Sequence, residues 1–390
     1  MIVSIIELHS HPEVIKNLFN LLSFSREQFC IYTLASLWDK TGIEKKTDNI
    51  NVSLQTGGES KYQFLKRVRD EINSSDLVFI NTIQFDYRLY ALQNFIPPIV
   101  LRVHNLNSTF RPFYSFLKSA WLFDLKFQFI YISKYLIWRR NWYFQRKFIK
   151  SVSKFNFPSS TLSRFAIEKC MVSPEKVGRP LIPFTASFRY SSLYHIDQDR
   201  VLISIIGAVE KRRRNYSIVL DSFKELVKNL KRPVSLAFLG RTSSGYGNRM
   251  IDEFRKLEND FFKIISYSAF VPVSEFDDMM HKTHFIIIPA VEKIKTINSL
   301  EYYGKTKISG NINDIIEYGK AAILPDHYPV DEELQPIIAS YSKMKSLTDI
   351  LTYWITEQPY LSFDYDKVYS KYEPEKISRD LIRQFRDVAE

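Results

Sequence analysis

Val201-Leu-Ile-Ser-Ile-Ile206-Gly207-Ala-Val-Glu-Lys211-Arg-Arg-Arg214-Asn215-Tyr-Ser-Ile-Val-Leu-Asp-Ser-Phe223 reads as a buried strand, a glycine, a run of cations and the start of a helix. The short isoleucine-rich run at its head suits a strand covered on both faces. Ile218, Val219, Phe223, Leu226 and Val227 then recur at helical spacing over Asn215–Asn229. A strand that turns at once into an amphipathic helix is half of a βαβ unit, and the alternation continues downstream. Strands are expected at Val234–Leu239, Phe262–Ser266, His284–Ile288 and Ala321–Leu324. Helices are expected at Tyr246–Leu257, Val273–His281, Asn311–Tyr318, Asp331–Tyr341, Leu347–Thr356 and Pro374–Val388.

Upstream the same pattern has already run once. Ile2–Leu8, Glu27–Leu34, Asp76–Asn81, Ile99–Val103 and Phe155–Phe157 read as strands, with helices at Pro12–Leu22, Tyr62–Asn73 and Thr161–Met171. Residues 189–200 lack periodicity and read as a linker. Strands alternating with helices imply parallel sheets, so the expectation is α/β, with two doubly wound domains facing a cleft. Their bounds are 1–190 and 191–350, with closing helices over 351–390 that are expected to pack back on the first domain. Ligands of such sheets bind beyond the carboxyl ends of the strands, which selects the loops that follow them.

Composition narrows the class. The 390 residues are 45% hydrophobic and 25% charged, which excludes bulk disorder. Two cysteines exclude a disulfide framework and a cysteine-rich zinc site. The opening MIVSIIELHSHPEV has no basic leader region and reads as a first strand. No stretch reaches the ~18 apolar residues of a spanning helix, so the expected place is the cytoplasm, on the inner face of a membrane. The net charge is +11, but residues 111–154 hold ten basic side chains against one acid, so nine of the eleven charges sit in that segment.

Two loops have the chemistry of phosphate binding. Gly207 allows a tight turn, and Lys211, Arg214 and Asn215 stand where a helix begins, a place that favours an anion. Tyr303-Gly304-Lys305-Thr306-Lys307-Ile308-Ser309-Gly310-Asn311 also precedes a helix. There Ser309 and Gly310 can cradle a diphosphate, Lys307 can neutralise it, and Asp314 can accept from ribose hydroxyls. The plainer alternative is a solvated basic loop in the first case and an N-capping Ser309 in the second.

On these residues the second half resembles the nucleotide-binding domain of glycosyltransferases of the GT-B fold, most closely the retaining group-4 family. Arg214-Asn215 is similar to that family's basic step before a helix, and Gly319-Lys320-Ala-Ala-Ile-Leu-Pro325 to its glycine and following strand. Asp314 stands five residues before Gly319, where the family has the glutamate that holds the ribose. Thr306 stands where it has a second glutamate, a departure for which Lys307 or Glu301 is the candidate replacement. The resemblance implies two Rossmann-like domains and sugar transfer from a UDP- or GDP-sugar with no cofactor. His104, just past the Ile99–Val103 strand, fits the family's cleft histidine, which supports charge at the reacting carbon. His11 is a candidate acceptor contact or base. With Lys211, Arg214 and Lys307 on the leaving diphosphate, no metal is expected.

The basic segment carries 14 aromatics between Phe113 and Phe148. Treated as a helix over 118–154, it puts most of its cations on one face. Trp138, Arg139, Arg140, Trp142, Arg146 and Lys147 are the residues expected to dock on an anionic membrane surface; no nucleic-acid signature accompanies them. The acceptor is then expected to be lipid-linked or a glycan, as in cell-surface polysaccharide assembly. A sugar-nucleotide epimerase of related fold and a non-catalytic membrane- or nucleic-acid-binding protein stay open as alternatives.

Overall fold

The computed structural model describes residues 1–9, 12–44, 47–84, 86–111, 140–179, 181, 196–197, 199–242, 245–296 and 299–390. The first sheet is built from β1 (Ile2–Glu7), β2 (Gln28–Leu34), β3 (Ile50–Gln55), β4 (Leu77–Thr82), β5 (Ile99–Arg102) and β6 (Lys154–Asn156). The second is built from β7 (Val201–Ile206), β8 (Val234–Arg241), β9 (Phe262–Tyr267), β10 (Phe285–Ile287), β13 (Ala321–Pro325) and β14 (Ile338–Tyr341). Between β10 and β13 a hairpin pairs β11 (Lys293–Lys295) with β12 (Leu300–Tyr302).

Both sheets are parallel and have the same order. The first runs β3-β2-β1-β4-β5-β6 and the second β9-β8-β7-β10-β13-β14. Chain order therefore reverses beside β1 and again beside β7, and each reversal leaves a crevice at the carboxyl ends of the strands. The central strands are mostly apolar because helices cover both faces: every residue of β4, β5 and β7 is buried, with Asn81, Thr82, Arg102 and Ser204 the polar or charged residues among them.

The helix Pro374–Ala389 returns to the first domain. Its Phe385 ring lies 5.3 Å from that of Phe79 in β4. Asn156 in β6 donates from Nδ2 to Gln384 Oε1 at 2.8 Å. Arg386 Nε pairs with Glu27 at 2.9 Å.

Two expectations are corrected and one strand is added. Residues 331–341 are not a helix: a 3-10 turn, Glu332–Ile337, leads into β14. Pro336 lacks the N–H that a continuing helix needs, and Ile338–Tyr341 pair with β13 instead. The edge strand β3 was not foreseen, because Ile50–Gln55 is half-exposed and polar at alternate positions. The basic segment is not one helix to Lys154: its described helix is Asn141–Ser151, and Lys154 opens β6. His11, Trp138, Arg139 and most of the linker over 189–200 lie outside the described residues.

Candidate functional site

The two crevices face one another and enclose a cavity of about 550 Å³. The first domain supplies Thr82 at the end of β4, Ile83 and Gln84 past it, and His104 and Asn105 past β5. The second supplies Gly207 past β7, Arg213 and Arg214 from the cation run, and Lys307 to Asn311 at the start of a helix. Asp314 and Glu317, farther along that helix, complete the wall.

Arg214 ties the two nucleotide-type loops together. Its guanidinium donates to Ala208 O at 3.0 Å, to Ile206 O at 2.6 Å and to Asn311 Oδ1 at 3.2 Å. The first two bonds clamp the turn at Gly207, and the third reaches the helix Gly310–Tyr318. The turn needs glycine twice. Gly207 has φ +91°, and a Cβ there would lie 2.3 Å from Arg214 Nη2. A Cβ on Gly240 would lie 2.2 Å from the Gly207 carbonyl carbon. Arg214 is thus a brace whose charge faces the cavity. Arg213 lines the same wall with its side chain half-exposed, although Glu210 lies 3.7 Å away.

Two of the proposed phosphate residues lie elsewhere. Lys211 is exposed on the turn outside the cavity wall. Asn215 is also exposed, where its amide donates to Pro289 O at 2.7 Å and its side chain accepts from Ser217 Oγ at 2.8 Å. The reason is geometric: the chain climbs away from β7 in a turn, and only its last two cations come back over the strand end.

The second loop does open a helix onto the cavity. Ser309 is its N-cap, with Oγ accepting from Asn311 N at 3.3 Å. The Ser309 amide itself donates to Tyr328 OH at 2.8 Å, so it is engaged in the fold. Asp314 accepts from Asn311 Nδ2 at 3.2 Å. Burial pushes its carboxyl up to about 7; Glu317 adds to the rise, while Asn311 and Arg214 oppose it. Lys307 donates from Nζ to Asn105 Oδ1 at 2.8 Å across the cleft. Burial pulls its ammonium down, and Glu301 opposes that shift.

Of Lys307 and Glu301, the two candidates to replace the missing glutamate, Lys307 lines the cavity, whereas Glu301 is buried away from its wall and accepts from Ser108 N at 2.8 Å. Thr306 is buried as well and accepts from Tyr302 N at 2.7 Å.

His104 lies on the opposite wall. Its Nε2 is 2.9 Å from Asn81 O and 3.2 Å from Thr82 Oγ1, so the proton sits on Nε2 and is given to the carbonyl. Behind it Asn81 Nδ2 donates to the buried Glu7 at 2.8 Å. Arg102 lines the floor with 2% exposure, and burial pulls its guanidinium down to about 9. Sequence reasoning passed over Arg102 and Arg213; the available signal for Arg102 was a cation inside the apolar run IVLRV. Among the described residues no group of three or more His, Cys, Asp or Glu is placed to hold a metal ion.

On the helix Asn141–Ser151, Trp142, Arg146 and Lys147 are exposed, as is Arg140 just before it. Its inner face is anchored by Gln145, which donates to Ser108 O and Thr109 O at 2.7 Å each. Among the described residues no helix is long and apolar enough to cross a membrane.

No protein-family model matches the sequence, and no curated protein matches it. Solved structures do match the fold. HepE of Anabaena, in complex with UDP-glucose, aligns with a TM-score of 0.61 at 11% identity, over 99% of this chain and 100% of that one. Sucrose-phosphate synthase of Thermosynechococcus elongatus aligns with a TM-score of 0.61 at 9% identity, over 99% and 98%. A UDP-GlcNAc 2-epimerase of Neisseria meningitidis, bound to UDP-GlcNAc, aligns with a TM-score of 0.50 at 13% identity, over 99% and 100%. Two parallel six-stranded sheets of identical order, matched over nearly the whole chain, give this protein the GT-B fold.

Proposed function

We propose that this chain is a glycosyltransferase that moves a sugar from a UDP- or GDP-sugar to a lipid-linked or glycan acceptor at a membrane surface. The observation that carries the reading is the cavity between the sheets, where Arg214 joins both nucleotide-type loops opposite His104. A diphosphate seated at the helix start near Gly310 meets the helix dipole and the charges of Arg213, Arg214 and Lys307. These preorganised charges stabilise the leaving nucleotide as the glycosidic bond breaks. Asp314 accepts from the ribose hydroxyls. His104 approaches the sugar from the other domain and supports charge at its reacting carbon. The acceptor enters over the first domain.

The membrane part of the reading rests on the helix Asn141–Ser151. Trp142 and Tyr143 are 45% and 51% exposed beside Arg146, Lys147 and Lys150, and the helix contains no acid. Aromatic rings among cations suit a headgroup layer. The placement is peripheral, on the cytoplasmic face. GT-B glycosyltransferases and UDP-GlcNAc 2-epimerases both share this fold, so the decisive experiment separates transfer from epimerisation. UDP- and GDP-sugars are screened by thermal shift, since a ligand that binds only the folded state raises its stability. The stabilising donor is then incubated without acceptor. Stabilisation by a nucleotide sugar with no isomerised product supports the transferase; an isomerised product makes the protein an epimerase. Binding of anionic vesicles, lost in Arg146→Glu/Lys147→Glu, tests the docking face.

A further inference from the structure

The boundary between the domains holds two carboxylates in an unusual position. Glu301, on β12, is fully buried. Its Oε1 accepts from Ser108 N at 2.8 Å and its Oε2 from Asn107 N at 3.3 Å. Both amides belong to the first turn of the helix Leu106–Phe110 in the other domain. Asp331, which precedes the 3-10 turn leading into β14, also bonds to the start of a helix in the other domain. Its Oδ1 accepts from Ser160 N at 2.9 Å, from Ser160 Oγ at 2.8 Å and from Thr161 N at 3.2 Å. Those residues open the helix Ser160–Glu168, again in the first domain.

A helix start has amides without partners inside the helix and the positive end of the dipole, and a carboxylate satisfies both. Such caps normally come from the residue just before the helix. Asn105 holds that place for Leu106–Phe110 but makes no side-chain cap bond. Its Oδ1 instead accepts from Lys307. The cap comes from across the cleft. Further bonds reinforce it: Leu106 N donates to Thr306 O at 2.9 Å, and Asn107 Nδ2 to Leu300 O at 2.8 Å. His104 precedes this helix by two residues.

We propose that Glu301 and Asp331 are positioning residues, a pair of interdomain latches that hold the cleft at its working width and set His104 opposite the nucleotide loops. Separating the domains would remove the side-chain cap of the helix Leu106–Phe110 and the Asp331 bonds at the start of Ser160–Glu168, which would keep its own N-cap Ser159. Glu301 would lose both backbone donors and keep the bond from Ser299 Oγ. The bonds involve protein groups alone, so the cleft is expected to keep its width without a ligand. Only the role given to His104 rests on the glycosyltransferase reading; the latch rests on the geometry alone.

The test has two arms. Nitroxide labels on Tyr62→Cys and Tyr353→Cys, exposed residues on the two domains, report the interdomain distance in a Cys30→Ser/Cys170→Ser background. The unliganded protein is expected to give one narrow distance distribution. Glu301→Ala/Asp331→Ala is expected to broaden or lengthen it, with the far-ultraviolet circular dichroism unchanged. If the double variant does not fold, Glu301→Gln decides, because it keeps the volume and turns one acceptor into a donor facing Asn107 N. A narrow, unshifted distribution in the folded variant overturns the latch. In the kinetic arm, with the nucleotide sugar that stabilises the wild type, Glu301→Ala is expected to lower kcat about tenfold while the donor KM stays within about threefold. Adding it to His104→Ala is expected to cost nothing further; independent multiplication of the two effects overturns the positioning role. If no nucleotide sugar binds the wild type, the functional reading fails while the distance arm still decides the latch.

Discussion

Replacing Gly207 by alanine tests the centre of the site, the turn over the end of β7. The backbone there has φ +91°, and the new methyl would lie 2.3 Å from Arg214 Nη2 and 3.1 Å from its Cζ. Two terms follow. An L-residue in the left-handed region costs roughly 1–2 kcal/mol. The guanidinium must also withdraw from Ile206 O and Ala208 O, and hydrogen bonds to a charged group are worth about 1.5–3 kcal/mol each. Partial retention of one bond brings the sum to about 4 kcal/mol, a large share of the ~5–15 kcal/mol that holds a domain. The assay is equilibrium urea unfolding of the wild type, Gly207→Ala, Arg214→Ala and the double variant. Removing the guanidinium removes the collision, so in the Arg214→Ala background Gly207→Ala keeps only the backbone term. The coupling is then about 2 kcal/mol, well outside the ~0.5 kcal/mol scatter of independent sites. A Gly207→Ala cost under about 1 kcal/mol, or additivity in the cycle, would refute the clamp. Nucleotide binding is expected to fall in the single variant, because Arg214 leaves the cavity wall.

Other outcomes follow from the buried ionisable groups and the helix anchor. Burial raises the Asp314 carboxyl to about 7. Unliganded stability is therefore expected to fall as pH rises from about 4 through 7, where the folded state holds a proton that the unfolded state has released. Nucleotide affinity is expected to move the other way, rising as the carboxylate ionises near pH 7, and Asp314→Asn should flatten both profiles in urea melts and calorimetric titrations. Burial lowers the Lys320 ammonium to about 7. Stability is then expected to rise between about pH 7 and 10, as the unfolded chain alone keeps the proton, and Lys320→Met should abolish that slope in thermal melts. Gln145→Ala removes the two bonds to Ser108 O and Thr109 O, leaves two carbonyls to find water and should cost about 1–3 kcal/mol in urea unfolding. Vesicle binding by the exposed Arg146 and Lys147 face should persist in that variant if the helix stays folded.

Much of the frame was legible in the chain. The runs VLISII and LVFINT are too apolar for anything but strands buried on both faces, and both are central. The loop after Gly207 and the loop before Gly310 were each recognisable as a turn into a helix start. Errors came where local pattern and tertiary pairing disagree. Residues 338–341 have no strong strand preference, and their pairing with β13 decides them. Ile50–Gln55 has polar residues facing out at a sheet edge, which hides a strand from a search for apolar runs.

By itself the sequence determined two doubly wound parallel sheets, because hydrophobic periodicity acts over neighbouring residues and survives any arrangement of the whole. It also determined which strand ends would hold cations, glycines and His104. It did not determine how those groups divide their bonds. Arg214 and Lys307 read as equivalent phosphate cations, yet one braces the Gly207 turn and the other reaches Asn105 across the cleft. Lys211 read as a partner to both and lies outside the cavity wall. Glu301 and Asp331 read as ordinary acids, and only the packing of one domain on the other turns them into helix caps. A hydrogen bond is set by a few ångströms and an angle, and those are fixed by contacts such as Lys307 with Asn105, whose residues stand 202 positions apart, which no local pattern records.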